Sequence, residues 1–452
     1  MVNVAIRSAI SRESTTRIVT ADGESIRSLA VPIACGVLVV ATTLLYSLGW
    51  GEIFGRHAWT TPGDLWGTFH TAQLVSWGDI GDVYALGGGL VSLPGISIVL
   101  SPVALVVSHL GLSVSYPYNL AHPTAWLLLG PYEAMVGAIV LLPLDSIARR
   151  LGASIRARLV SSIVEGILVW PLVAIWGHPE DSLALAFGLW ALLAALDHRW
   201  RRCGWFLGFA VVTQPLVLLI VPLVFALAAK PEWLKLLART VLPSIASVVI
   251  PLSQSWHQTT TALLKQPNYP TIDHPTPWMA FAPVLSKAHP AVTKHFGQLR
   301  SGSGLHFTLV YLHTVAGETV AAGPGRLIAI AVAIGLAVFV RRRGPSLRTI
   351  AWFCAVALGL RCVFESVMDP YYLWPPLAIA FVLLALSDLR RFTLCLVAGG
   401  VITVWSYRHV GPWEWWLPVV ALLGVILYLA HPKPQMSADG LAKGLSPKPT
   451  NL

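Results

Sequence analysis

Asp64 and His70 share the stretch 61–70 with Leu65, Trp66 and Phe69. An amphipathic segment of this kind suits the membrane interface, beside a lipid substrate. A carboxylate held there can act as a general base toward a hydroxyl. Asp64 equally suits the N-cap of a short helix, because an Asp side chain accepts from the free backbone N–H groups of a first turn. Both readings fit the residues. Gly81, Asp82 and Tyr84 follow, and a glycine-rich run leads to Pro94.

Three more polar clusters interrupt apolar sequence. His178, Pro179, Glu180 and Asp181 are consecutive. Pro at a first helical position with two acids behind it is what a helix N-terminus prefers. It is also an expensive placement of titratable groups at a membrane boundary, which marks candidate function. Gln214 and Pro215 split an apolar run into two half-length pieces, either a packing kink or a discontinuous helix that aims backbone groups at a site. Arg361, Glu365 and Asp369 recur at a spacing of four, so on a continuous helix they share one face. That pattern fits an ion-pair ladder, and an Arg at that depth can also hold a phosphate. Tyr371 and Tyr372 follow and suit a sugar or a headgroup. Glu133 and Glu165 lie within apolar runs and are expected to face the interior, with no specific role.

The elements that must position these groups are transmembrane. The chain has 452 residues, of which 55% are hydrophobic and only 12% charged, against roughly 25% charged in a soluble domain. Its net charge of +10 is gathered in short clusters between apolar runs: Arg149, Arg150, Arg156 and Arg158; Arg199, Arg201 and Arg202; Arg341 to Arg343 and Arg348; Arg390 and Arg391. By the positive-inside bias these are cytoplasmic loops rather than nucleic-acid contacts. With about twenty apolar residues per span, the sequence predicts an all-α fold, a polytopic bundle of about 11–13 spans with long outer loops carrying interfacial helices. Residues 1–30 form a cytoplasmic N-terminal segment, 31–430 the transmembrane domain, and 431–452 a disordered cytoplasmic tail. Outer loops are expected at about 51–93 and 254–323. All four polar clusters then fall on the outer side. The stretch 94–148 must cross an odd number of times, yet it contains two apolar runs.

Several classes are excluded or disfavoured. Cys35, Cys203, Cys354, Cys362 and Cys395 have no CxxC spacing. Six of the fourteen histidines lie in 254–323 without HExxH or HxH spacing, so no metal site is expected. Phosphate-cradling glycine motifs are absent, and no soluble cofactor is expected. A transporter or lipid flippase is the main rival to an enzyme. It would need polar groups along a path through the bundle, whereas these gather at one face. A non-catalytic scaffold is the other.

The order of these features resembles the GT-C superfamily of integral-membrane glycosyltransferases, and within it the polyprenyl-phosphate-mannose-dependent branch of actinobacteria. The resemblance rests on a single span followed by a long outer loop with an early Asp, then Gly81, Asp82 and Tyr84, and Pro94 opening the next span. It extends to Gly177 and His178 at the head of a mid-chain helix, Gln214 and Pro215, and the aromatic stretch 369–374. Ser92 and Leu93 stand where that branch often has Tyr and Pro, and Gln214 where a basic residue is common.

The resemblance implies a plasma-membrane, multi-pass glycosyltransferase with both termini cytoplasmic. It would move a sugar, mannose in that branch, from a polyprenyl-phosphate donor to a lipid or glycan hydroxyl on the outer face. Asp64 maps to the catalytic base, and Arg361 with His178 would stabilise the departing phosphate. His70, Glu180, Asp181, Tyr371 and Tyr372 would orient sugar or acceptor. Asp82, Tyr84, Gln214 and Asp369 complete the expected substrate-binding set.

Overall fold

In hydrocarbon every backbone N–H and C=O must be bonded within its own segment, so long runs of Leu, Val, Ile and Ala can cross only as helices. A computed structural model of the chain describes residues 29–48, 63–84, 90, 92–112, 125–265, 267–268, 274–284, 289–295, 309–315, 319–320, 324–408 and 410–432; the side chains of 63, 64 and 66 and those of 265–268, 289–295, 309–315 and 319–320 lie outside that description. The expected N-terminal segment and C-terminal tail therefore fall almost entirely outside it.

The helices in chain order are α1 (Ala30–Ser47), α2 (Gly63–Trp77), α3 (Gly95–His109), α4 (Trp126–Ala138), α5 (Leu141–Arg150), α6 (Ile155–Pro171), α7 (Pro179–Leu196) and α8 (Trp200–Thr213). They continue as α9 (Val221–Leu227), α10 (Trp233–Gln254), α11 (Trp256–Thr260), α12 (Pro324–Arg343), α13 (Leu347–Phe364), α14 (Trp374–Leu384), α15 (Leu389–Ser406) and α16 (Pro412–Ala430). Among the described residues, nine helices are long and apolar enough to cross a membrane, with α4 and α5 running on as one of 25 residues. Strands are short: β1 (Pro267–Asn268) pairs with β5 (Thr319–Val320), β2 (His274–Pro275) with β6 (Val367–Met368), and β3 (His289–His295) with β4 (Leu309–Val315), all antiparallel.

Burial sorts the helices. α7 and α14 are buried almost throughout and form the centre of the bundle. α1, α10, α12, α15 and α16 bury only a stripe and expose leucine, isoleucine and valine outward, among them Val37, Leu234, Leu327, Val404 and Leu417. Large apolar side chains spread over an outer surface are untenable in water and natural against lipid.

Within the described part of 94–148, the continuous α4–α5 helix is the one long and apolar enough to cross. At 15 residues α3 rises about 22 Å, short of a hydrocarbon core of about 30 Å. It packs against α2 and the start of α4 through Leu65, Phe69, Leu100, Trp126 and Leu129.

The arginine clusters collect at one end of the bundle. Arg150 makes a two-pronged pair with Asp197 at 2.8 Å in both bonds, and that hydrogen-bonded guanidinium holds the Asp197 carboxyl below its usual range. Arg158 grips Asp145 the same way, at 2.7 and 2.8 Å, with Arg149 Nε 3.4 Å from the same carboxylate. Asp145 is fully enclosed, so removing it strands a buried guanidinium. Asp145→Ala is expected to lower stability by about 3–5 kcal/mol. Thermal unfolding of the purified protein in detergent checks this; an unchanged midpoint contradicts it.

Candidate functional site

The opposite end is built where the two central helices begin. Leu172–Trp176 winds as a single π turn, an irregularity frequent at functional sites. Gly177 then adopts φ 73°, a left-handed conformation that ends the helix and favours glycine. The chain reverses there, and Pro179 starts α7 with Glu180 and Asp181 in its first turn. α14 starts at the same end, led in by a 3-10 turn over Pro370–Leu373.

His178 Nδ1 lies 2.6 Å from Glu180 Oε1. Its ring stacks on Tyr371 with centroids 3.8 Å apart, and Tyr371 Oη donates to Asp369 Oδ2 at 3.0 Å. Arg361 lies over the Tyr372 ring, 3.1 Å from its centroid, and its Nε donates to Glu365 Oε2 at 3.0 Å. Glu365 also pairs with Arg326 near the start of α12. Trp176, at the end of the π turn, donates from Nε1 to Tyr407 Oη at 3.0 Å and closes the same wall.

Several buried polar atoms here have no hydrogen-bond partner among the described residues: both oxygens of Glu133, Oε2 of Glu180, both oxygens of Asp181, and Nη1 of Arg361. Asp181 lies among Glu180, Arg361 and His178, with the Gln214 side chain beside it. Glu133 on α4 faces Glu180 and His178. Carboxylates, a guanidinium and a stacked ring pair from α4, α7, the α8 break, α13 and the 3-10 turn thus meet in one place. Unmade bonds on buried charged groups are costly, so their concentration here makes this the strongest candidate for a ligand site.

The predicted residues do not all meet. His178, Glu180, Asp181, Gln214, Arg361, Asp369, Tyr371 and Tyr372 are brought together. Gln214 does sit at a break: its backbone is extended between α8 and a 3-10 turn. The approach is tight, because a Cβ on Gly95 would lie 2.3 Å from the Val212 carbonyl oxygen. Asp64 falls in the first turn of α2, and its side chain is outside the described residues. Its neighbour Leu65 is fully buried in the cluster that contains Leu183, two residues after Asp181 on α7. His70 is partly buried on α2.

Asp82 is exposed on the turn after α2. Tyr84 packs apart from this group with Leu74, Val83 and Leu90. There its phenol donates to the Ser92 carbonyl at 2.8 Å, and burial pushes its pKa up.

One expectation is corrected. Arg361, Glu365 and Asp369 do not share a helical face, because α13 ends at Phe364 and both Glu365 and Asp369 have extended backbones. A residue before proline is disfavoured in the α region, and Asp369 precedes Pro370. Glu133 and Arg326 are the residues that sequence reasoning left without a part. Arg326 carried a readable signal, a lone cation at the end of α12 opposite Arg341 to Arg343.

No protein-family model matches the chain, and no curated protein matches it. Among solved structures it is similar to the crystal structure of the Archaeoglobus fulgidus oligosaccharyltransferase in the apo form, with 12% sequence identity and a TM-score of 0.34, over 94% of this chain and 59% of that one. The chain thus spans well under two thirds of that protein's length, and a likeness this weak carries neither family nor mechanism.

Proposed function

We propose that the chain is a membrane glycosyltransferase that moves a sugar from a polyprenyl-phosphate carrier to a lipid or glycan hydroxyl at the end of the bundle opposite the arginine clusters. The positive-inside bias makes that end the outer face, and the family resemblance makes mannose the expected sugar. The observation that carries this reading is the group of buried polar atoms without partners on Glu133, Glu180, Asp181 and Arg361. A sugar supplies what they lack, since its hydroxyls donate to carboxylates and accept from a guanidinium.

In the reaction the acceptor oxygen bonds to the anomeric carbon as the bond from that carbon to the phosphate oxygen breaks. The polyprenyl phosphate leaves with the electron pair, and the acceptor proton passes to Asp64. Arg361, with Nη1 unengaged, is the donor available to the leaving oxygen, and its orientation is held by Glu365 and the Tyr372 face. The His178–Tyr371 stack offers a flat wall for a sugar ring. Glu180 and Asp181 orient the sugar hydroxyls. The aliphatic chain of the donor lies among the lipid-facing helices, so the donor needs no soluble carrier. His70, Asp82, Tyr84, Gln214, Asp369 and Tyr372 remain assigned to binding or support of substrate, with Asp82 and Tyr84 set back from the central group.

The test is transfer itself: purified protein should carry label from a polyprenyl-phosphate hexose to an acceptor, and a protein that binds the donor without ever transferring it contradicts the proposal.

A further inference from the structure

At the arginine-rich end a cavity of about 170 Å³ opens where four helices finish or begin. Arg348 comes from the start of α13, Arg391 from the start of α15 and His431 from just past α16. Leu383, Leu386 and Leu429 supply an apolar side. The Nε of Arg348 is buried and has no hydrogen-bond partner among the described residues.

The lining has one acid, Asp388, and it is already engaged. It caps α15 by accepting from the Arg391 backbone N–H at 2.9 Å, and its other oxygen lies 3.3 Å from Arg391 Nε. Arg341, Arg342, Arg343 and Arg390 stand at the same end and add to a positive field around the opening.

We propose that this cavity binds the phosphate of an anionic phospholipid. A guanidinium nitrogen held without a partner beside a second guanidinium matches a phosphate oxygen. The apolar side and the position at the ends of membrane-crossing helices match an amphiphile whose tails remain in the bilayer, since basic pockets between transmembrane helices on the positively charged side are lipid-headgroup sites. This site is separate from the candidate active end and does not rest on the proposed reaction.

The test uses the full chain in mild detergent, with thermal unfolding followed while phosphatidylglycerol, phosphatidylcholine or inorganic phosphate is titrated. Phosphatidylglycerol should raise the unfolding midpoint at concentrations where phosphatidylcholine does not, and the effect should shrink as salt is raised. Arg348→Gln with Arg391→Gln should weaken the apparent lipid affinity roughly a hundredfold, about tenfold per lost charged contact. Arg348→Lys with Arg391→Lys, which keeps both charges, should retain most of the response and guards against a misfolded double variant. Equal stabilisation by both lipids, or an undiminished response in the Gln variant, overturns the proposal. A full response to inorganic phosphate alone, lost in the Gln variant, overturns the lipid as the source of the anion.

Discussion

Purified Asp64→Asn protein is expected to transfer sugar roughly 10²–10⁴-fold more slowly than the native chain, the range a positioned general base contributes, while unfolding at nearly the same temperature. Asp64 is the second residue of α2 rather than its cap, so Asn loses only a modest favourable interaction with the helix dipole. The substitution therefore separates the two readings of this residue. If Asp64 only starts α2, transfer by the variant stays at the native rate. If it takes the acceptor proton, kcat falls and donor binding is preserved, because the donor is held by Arg361 and the α7 acids. Asp64 lies in the first turn of α2, beside Leu65, which packs in one cluster with Leu183 of α7.

Asp181→Asn is expected to move activity and stability in opposite directions. The carboxylate is 1% exposed, neither oxygen is hydrogen-bonded among the described residues, and Glu180 is its neighbour in the first turn of α7. Neutralising it relieves repulsion and unmet solvation, so the fold should gain about 1 kcal/mol. Transfer should fall roughly 10–100-fold, because the sugar hydroxyls lose a charged acceptor worth about 1.5–3 kcal/mol. Calorimetry and steady-state kinetics on the same preparation read both. A residue placed for packing alone would give a less stable variant with unchanged kinetics, and that pairing of results contradicts the role assigned to Asp181.

Much of this arrangement is legible in the amino-acid sequence because bilayers impose simple rules. Apolar run length picks out the nine helices that are long and apolar enough to cross among the described residues, and the arginine clusters do gather at one end, with Arg150, Arg158 and Arg341 engaged there. The polar breaks at Gly177 and Gln214 were visible for the same reason: uncovered backbone in hydrocarbon is rare.

Pairings between distant elements were not legible. Nothing in the runs around Glu133 and Glu180 says that α4 and α7 bring those carboxylates within electrostatic reach of each other, since periodicity gives the face of a helix and not its partner. Glu365 illustrates the same limit. Its spacing from Arg361 was readable and the ion pair forms, yet its second cation, Arg326, arrives from a different helix, 39 residues earlier in the chain. The helical extrapolation to Asp369 failed for a local reason, because Pro370 biases the residue before it toward extended backbone.

The most direct test of the central claim reconstitutes the purified chain in liposomes with a radiolabelled polyprenyl-phosphate hexose and a lipid acceptor, then follows label in two ways: into a glycosylated product, and across the bilayer as unchanged donor. The proposed reaction predicts glycosylated product together with released polyprenyl phosphate, both lost in Asp64→Asn. Unchanged donor crossing the bilayer, with no glycosylated product and no dependence on Asp64, would contradict it and assign the chain to lipid transport.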